Sequence, residues 1–285
     1  MTVPAHRRAA QAGATPQAIG RAATLALYDE LALSPKPGLV TLVDNGSHAD
    51  MDAGTFVRSL FALRGYFPRI AALGQAGAGF AALERCGIAA EARMLAATGG
   101  INTHRGAVFQ LGLLCAAAGA VAQSGAPLRP AAVRAALLAH WGAALALRAQ
   151  RAPMLPGGRV ARRLGLRGAA HEAAAGFPVL FSTALPALAA AQARGLAPPL
   201  ARLDALFHVI AVLDDSNLAL RGGLAGLRHA QAAARNFLAA GGAAQPDALA
   251  QAAAIGRDFV ARRLSPGGAA DTLAAACWLQ RLDAL

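Results

Sequence analysis

The stretch SPKPGLVTLVDNGSHADMD, residues 34–52, holds Lys36, the only lysine among 27 strongly basic side chains. Flanking prolines leave it little backbone freedom, and a lone ammonium acts as a point charge suited to a phosphate oxygen. Downstream, His48, Asp50 and Asp52 alternate, so ligands or proton carriers can point to one side of an extended segment. Asp52, just before an apolar run, reads better as a helix cap than as a ligand.

Four further clusters carry polar chemistry in a chain poor in polar residues. In ATGGINTHRG, residues 97–106, glycines end one helix and Asn102 caps the next. Thr103, His104 and Arg105 then fill the first turn, where cations are disfavoured by the helix dipole unless an anion binds there. In AHEAAAGFP, residues 170–178, Glu172 is the sole acid between Glu91 and Asp204. In LDDSNLALRGG, residues 213–223, Asp214, Asp215 and Asn217 lie near the end of an apolar helix. Neighbouring carboxylates repel, and a divalent cation would relieve them. Arg221, Gly222 and Gly223 could approach phosphate. In RRLSPGGAAD, residues 262–271, Ser265 reads as an N-cap and Pro266 as a first-turn proline, with Asp271 one turn in. Gly267 and Gly268 let a ligand come close to free backbone N–H groups.

The elements that position these clusters are helices. Hydrophobic residues make up 56% of the 285, dominated by alanine and leucine, while aromatics are 5%. Alanine and leucine favour helix, and the strand-forming types are sparse. Thr15-Pro16 opens a helix to about Leu33, which Pro35 and Pro37 end. The opening loop follows, anchored by Leu39, Val40, Leu42 and Val43, and a loop so long is functional. Helices are expected over 52–73 with a kink near Pro68, and over 79–97, 102–122, 129–149, 169–193, 199–220, 224–240, 246–263 and 267–283. Residues 152–159 read as loop. The chain is therefore expected to be all-α, one domain over 15–285 with about ten packed helices and functional loops at helix N-termini. Residues 1–14 are expected to form a disordered tail.

Composition also excludes classes. The net charge of +12 comes from scattered arginines with no run longer than a pair and no aromatic platform, against a nucleic-acid face. It fits a solvated surface or attraction of a small polyanion. Cys86, Cys115 and Cys277 are odd in number and far apart, which suggests neither a zinc site nor disulfides, and fits reducing cytoplasm. The uncharged stretches 106–128 and 173–193 read as buried helices, not membrane spans.

The motifs SPKPGLV…GSHADM, GGINTHRGAVFQLGLL, EAAAGFP, DDSNLALRGG and LSPGGAAD, in this order, resemble the triphosphoribosyl-dephospho-coenzyme A synthase family over about residues 20–280. Arg105 stands where that family commonly has lysine, and Ser216 where threonine is expected. The resemblance implies an all-α cytoplasmic transferase with ATP and 3′-dephospho-CoA as substrates, neither nucleic acid nor membrane as partner, and homo-oligomers allowed. It would join the triphosphoribosyl part of ATP to the 2′-hydroxyl of dephospho-CoA and release adenine. LVDNGSHADMD looks closer to the branch serving malonate decarboxylase than to that serving citrate lyase.

This chemistry gives Lys36, Arg105, Arg221 and the glycine-opened helix ends polyphosphates to bind. Mg²⁺ is expected with ATP, held by one or two carboxylates: Asp214 and Asp215 first, then Asp50 and Asp271. An oxocarbenium-like state at the ribose carbon needs a base on the incoming hydroxyl and a donor on the leaving purine. Conversion of a β-nucleoside to an α-product puts the two on opposite ribose faces. Asp50, Glu172 or Asp215 is expected as the base, and His48 or His104 as the group assisting adenine. The rival readings are an all-α Mg²⁺-dependent nucleotide hydrolase and a basic nucleic-acid binder.

Overall fold

Proline and small polar residues start several helices where the sequence puts them. In the computed structural model, which describes residues 14–283, Thr15 Oγ1 accepts from the Ala18 N–H and Pro16 begins α1 (Pro16–Ala32). Asp52 and Thr55 form a reciprocal capping box at the head of α2 (Ala53–Leu63). Gly65 separates it from α3 (Tyr66–Gln75), so the break falls before Pro68, which then sits harmlessly in a first turn. α4 (Phe80–Ala97), α5 (Arg105–Gln123) and α6 (Pro130–Gln150) follow.

The remainder is more broken than apolar periodicity implies. The expected loop at 152–159 already contains the start of α7 (Pro156–Arg163). The expected helix 169–193 is three pieces: α8 (Ala169–Ala174), a π-helical turn (Leu180–Ala184) and α9 (Leu185–Ala193). Gly176 and Phe177 adopt positive φ between them, ending α8 ahead of Pro178. α10 (Pro198–Val212) stops before the acid pair, and α11 (Ser216–Ala239) begins after it, kinked at Gly223. Asp214 and Asp215 therefore precede a helix instead of ending one. α12 (Ala248–Ala261) and α13 (Gly267–Leu282) complete the chain. The described residues contain thirteen α-helices and no strand, so the all-α expectation holds. The tail expected at residues 1–14 lies, up to residue 13, outside the described residues.

Two apolar helices form the axis of the core. α5 and α13 pack on each other, with α1, α3 and α10 around them. The α3–α5 seam is closest, because Gly74 and Gly119 let the backbones meet. A Cβ on Gly74 would overlap the Ala116 carbonyl oxygen, and one on Gly119 the Ala71 carbonyl oxygen. α5 and α6 are long and apolar enough to cross a membrane by length and composition alone; 72% of the apolar stretch of α5 is buried within the fold and 22% of that of α6.

The segment between α1 and α2 is held at both halves, by different means. Leu39 and Val40 are buried, whereas Leu42 and Val43 are exposed and anchor nothing. Ser47 ties its second half to the α12–α13 connection by donating to the Leu264 carbonyl at 2.5 Å. All three cysteines are buried free thiols.

Candidate active site

The five sequence clusters meet around the N-terminal turns of α13, but in different layers. The innermost layer centres on Lys36. Its ammonium is buried, donates to the Glu30 carbonyl at 2.8 Å and pairs with the Glu30 carboxylate. Burial pulls its pKa below the ordinary lysine value, and the Glu30 charge opposes that shift. Lys36 therefore holds the start of the loop to the end of α1 and does not line the open cleft.

His104 belongs to the same layer. It immediately precedes α5, and its Nδ1 lies 2.6 Å from Ser59 Oγ, to which Thr103 Oγ1 also donates at 2.7 Å. Phe56 packs edge-on against the ring. Burial first, and the Lys36 charge second, depress the imidazole pKa to about 3, so it is neutral at physiological pH. Its Nε2 is buried without a partner among the described residues. Asn102 Oδ1 accepts from the Arg105 N–H at 3.2 Å, and the Arg105 side chain turns outward to Glu91 at 3.1 Å.

A second layer lies where the opening loop meets the α12–α13 connection. Arg221 donates to the Ser47 and Arg263 carbonyls and to His48 Nδ1, the last at 3.0 Å. A guanidinium is only a donor, so Nδ1 must be the bare nitrogen. The proton then sits on Nε2, which donates to Ser265 Oγ at 2.9 Å. Burial and Arg221 lower the His48 pKa, while Asp50, 3.8 Å away and largely exposed, raises it. Ser265 is thus a partner of His48. The N-cap position of α13 is taken by Pro266, and the expected Ser265 cap is not formed. Gly222 packs under Leu264, and a Cβ on Gly267 would stand 2.5 Å from Asn217 Nδ2.

The third layer is a small, open cleft of about 70 Å³ between α5, α8, α11 and α13, lined by Gly106, Arg167, Glu172, Asp214, Asp215, Gly268 and Asp271 among others. Asp215 is the N-cap of α11. Its Oδ1 accepts from Asn217 and Leu218 N–H, and its Oδ2 from Ala269 N–H in the first turn of α13. The anion expected at the opened end of α13 is thus supplied by the chain itself. Burial raises the Asp215 pKa against the pull of these N–H groups. Asp271 faces Gly106 at the head of α5, where a Cβ would overlap its Oδ2. Burial, then the charges of Glu30 and Asp215, push its carboxyl well above the usual range, against the Ala107 N–H.

Glu172 is fixed from both sides. Its Oε2 accepts from the Val179 N–H at 3.2 Å, and its Oε1 pairs with Arg167 at 3.0 Å. Burial raises its pKa, opposed by Val179 and Arg167 and aided by Asp214. Asp214 Oδ2 accepts the Arg167 N–H at 3.0 Å. Among the described residues no three His, Cys, Asp or Glu side chains converge as a ready metal set. Asp215 has both oxygens on backbone N–H groups and Asp50 sits in the loop layer. Asp214, in the cleft, suits a metal that arrives with its own phosphate ligands.

The family model described as CitG: ATP:dephospho-CoA triphosphoribosyl transferase matches residues 16–285. The chain belongs to this family. No solved structure matches the chain. Its CitG-family reaction is transfer of the triphosphoribosyl group between ATP and dephospho-CoA, and the enzyme is a triphosphoribosyl-dephospho-CoA synthase. Three residues that organise these layers are not picked out as site residues by the sequence. Glu30 sits in an Ala/Leu-rich helix, Ser59 in an amphipathic one, and Arg167 in a glycine-flanked turn. Only Arg167 has a signal, the glycine-arginine segment before Glu172, and that segment is looser than the Arg-Gly-Glu expected by resemblance.

Proposed function

We propose that the acidic cleft is where the transfer takes place, with Glu172 and Asp271 carrying the protons. The observation behind this is that one concavity draws Glu172, Asp214 and Asp271 from three distant motifs of a chain with few acids. The 2′-hydroxyl of dephospho-CoA gives its proton to Glu172 as its oxygen bonds to the ribose carbon of ATP. The bond from that carbon to adenine breaks, and the purine takes a proton from Asp271. Raised carboxyl pKa values suit both tasks, since a base must hold the proton it takes and an acid must have one to give.

The remaining roles follow from the other layers. Asp215 orients α11 and α13, Arg167 positions Glu172, and neutral His104 and His48 support the cleft from behind. Asp214 would hold Mg²⁺, which supplies charge neutralisation to the triphosphate. Free buried thiols support a reducing cytoplasmic setting. The LVDNGSHADMD wording supports service to malonate decarboxylase over citrate lyase; genes for malonate decarboxylase subunits beside this one are expected, and citrate lyase genes there would overturn the assignment.

The test is incubation with ATP, Mg²⁺ and dephospho-CoA, reading free adenine by chromatography. Glu172→Gln is expected to slow release at least about 100-fold with dephospho-CoA still bound. Wild-type rates in that variant would remove Glu172 from the chemistry. Chelation of divalent cations is expected to stop release, and undiminished release would remove the metal.

A further inference from the structure

One charged feature lies outside all five motifs. α7 presents Arg159 and Arg163 one helical turn apart, both exposed. They flank a shallow concavity whose apolar surface comes from Pro156, Val160 and Leu220. Like several other surface arginines, Arg162 on the same helix among them, these two have no carboxylate partner and no side-chain hydrogen bond among the described residues; what sets them apart is that they flank one concavity a turn apart. Like charges at i and i+4 destabilise a helix, and this one is only eight residues long. A local rule broken without internal relief points to an external anion.

The position of the concavity relative to the cleft specifies the anion further. Leu220 lies on α11 one turn after Ser216, which lines the cleft, so the two are about 6 Å apart along the helix. Gly157 of α7 approaches Ser216 Oγ, with its Cβ position 3.4 Å away. The cleft itself is rich in carboxylates and would repel bare phosphates. A nucleotide whose ribose 2′-hydroxyl reaches Glu172 carries its diphosphate a few bonds away, at the 5′ position, and in dephospho-CoA a flexible arm continues from it, beginning with an apolar gem-dimethyl group.

We infer that Arg159 and Arg163 bind the diphosphate of dephospho-CoA, with the start of its pantetheine arm lying on Val160 and Leu220. This rests on the cleft being the reacting site. Guanidiniums suit phosphate oxygens through charge-assisted hydrogen bonds. The apolar floor favours the acceptor over ATP, whose triphosphate ends in water and has no such arm.

The experiment compares wild type with Arg159→Ala/Arg163→Ala and with Arg85→Ala/Arg129→Ala, which removes the same charge elsewhere. Equilibrium binding of dephospho-CoA is measured by calorimetry, and the KM of each substrate by adenine release. The α7 variant is expected to weaken dephospho-CoA binding and raise its KM at least tenfold, equivalent to about 1.4 kcal/mol. ATP's KM and the control variant should be unchanged. Lysine at both positions should restore part of the loss. Leu220→Asn is expected to weaken dephospho-CoA severalfold and leave ADP, which lacks the arm, unaffected as an inhibitor. A raised KM for ATP would move the arginines to the donor, and unchanged binding of both would abolish the site. Wild type without adenine release, yet binding dephospho-CoA through α7, would overturn the reaction at the cleft and leave the arginine site standing.

Discussion

Asp215 Oδ2 accepts the Ala269 N–H at 3.0 Å, joining the heads of two helices 54 residues apart in sequence. The same carboxylate caps α11 through Oδ1. One side chain therefore satisfies orphan donors of α11 and α13 together and fixes the angle at which both open onto the cleft. Asp215→Ala is expected to cost about 2–4 kcal/mol, the sum of two lost caps, measured by urea unfolding. A loss below about 0.5 kcal/mol would mean that water replaces the carboxylate at both heads.

Lys36 and Glu30 are both buried, so removing one strands the other. Lys36→Met is expected to destabilise the fold by about 3–5 kcal/mol. Adding Glu30→Leu should recover much of that, since a desolvated pair is costly to keep. If Lys36→Met left stability untouched and only weakened ATP binding, the ammonium would have to reach substrate after all.

His104 gives stability a pH dependence of known sign. Its imidazole titrates near 6.5 when unfolded and near 3 in the fold. Between those values the unfolded chain binds more protons, so stability rises with pH and is lost as pH falls. The contribution approaches about 1.4 kcal/mol per pH unit. His104→Gln should flatten the slope of the urea midpoint between pH 4 and 6.5.

Asp271 works in the opposite sense. Its carboxyl titrates near 3.8 when unfolded and well above that in the fold. The folded state binds the extra proton, so this contribution is present at low pH and is lost as pH rises through the folded value. The groups acting on it are Glu30 from α1, Asp215 at the head of α11 and the Ala107 N–H of α5. Asp271→Asn should keep an acceptor for that N–H and remove the fall in stability. An unchanged pH profile would place the proton elsewhere.

Gly106 tests the packing of this corner directly. Gly106→Ala would drive a methyl group into Asp271 Oδ2. The expected result is a loss of about 1–3 kcal/mol and displacement of the carboxylate, with adenine release falling further than stability explains.

Much of this is legible in the sequence, for physical reasons that differ by residue. Thr15-Pro16 and Asp52 act through neighbours three residues away, so sequence alone exposes them. The breaks at Gly176-Phe177 and Leu213–Asp215 were not legible, because apolar periodicity runs through both. Misplacing the second break put Asp215 at a helix end when it heads α11. Lys36 drew notice by its rarity, but its partner Glu30 lies across a proline turn and only folding brings them together. Ser265 looked like a cap, yet His48, 217 residues away, takes its hydroxyl.

Where α3 meets α5 there is almost no side-chain layer to act as bearing, since Gly74 and Gly119 bring peptide groups face to face. Two rods in such contact can neither slide nor roll without collision. The head of α5, with Gly106 against Asp271, is thus bolted to the frame.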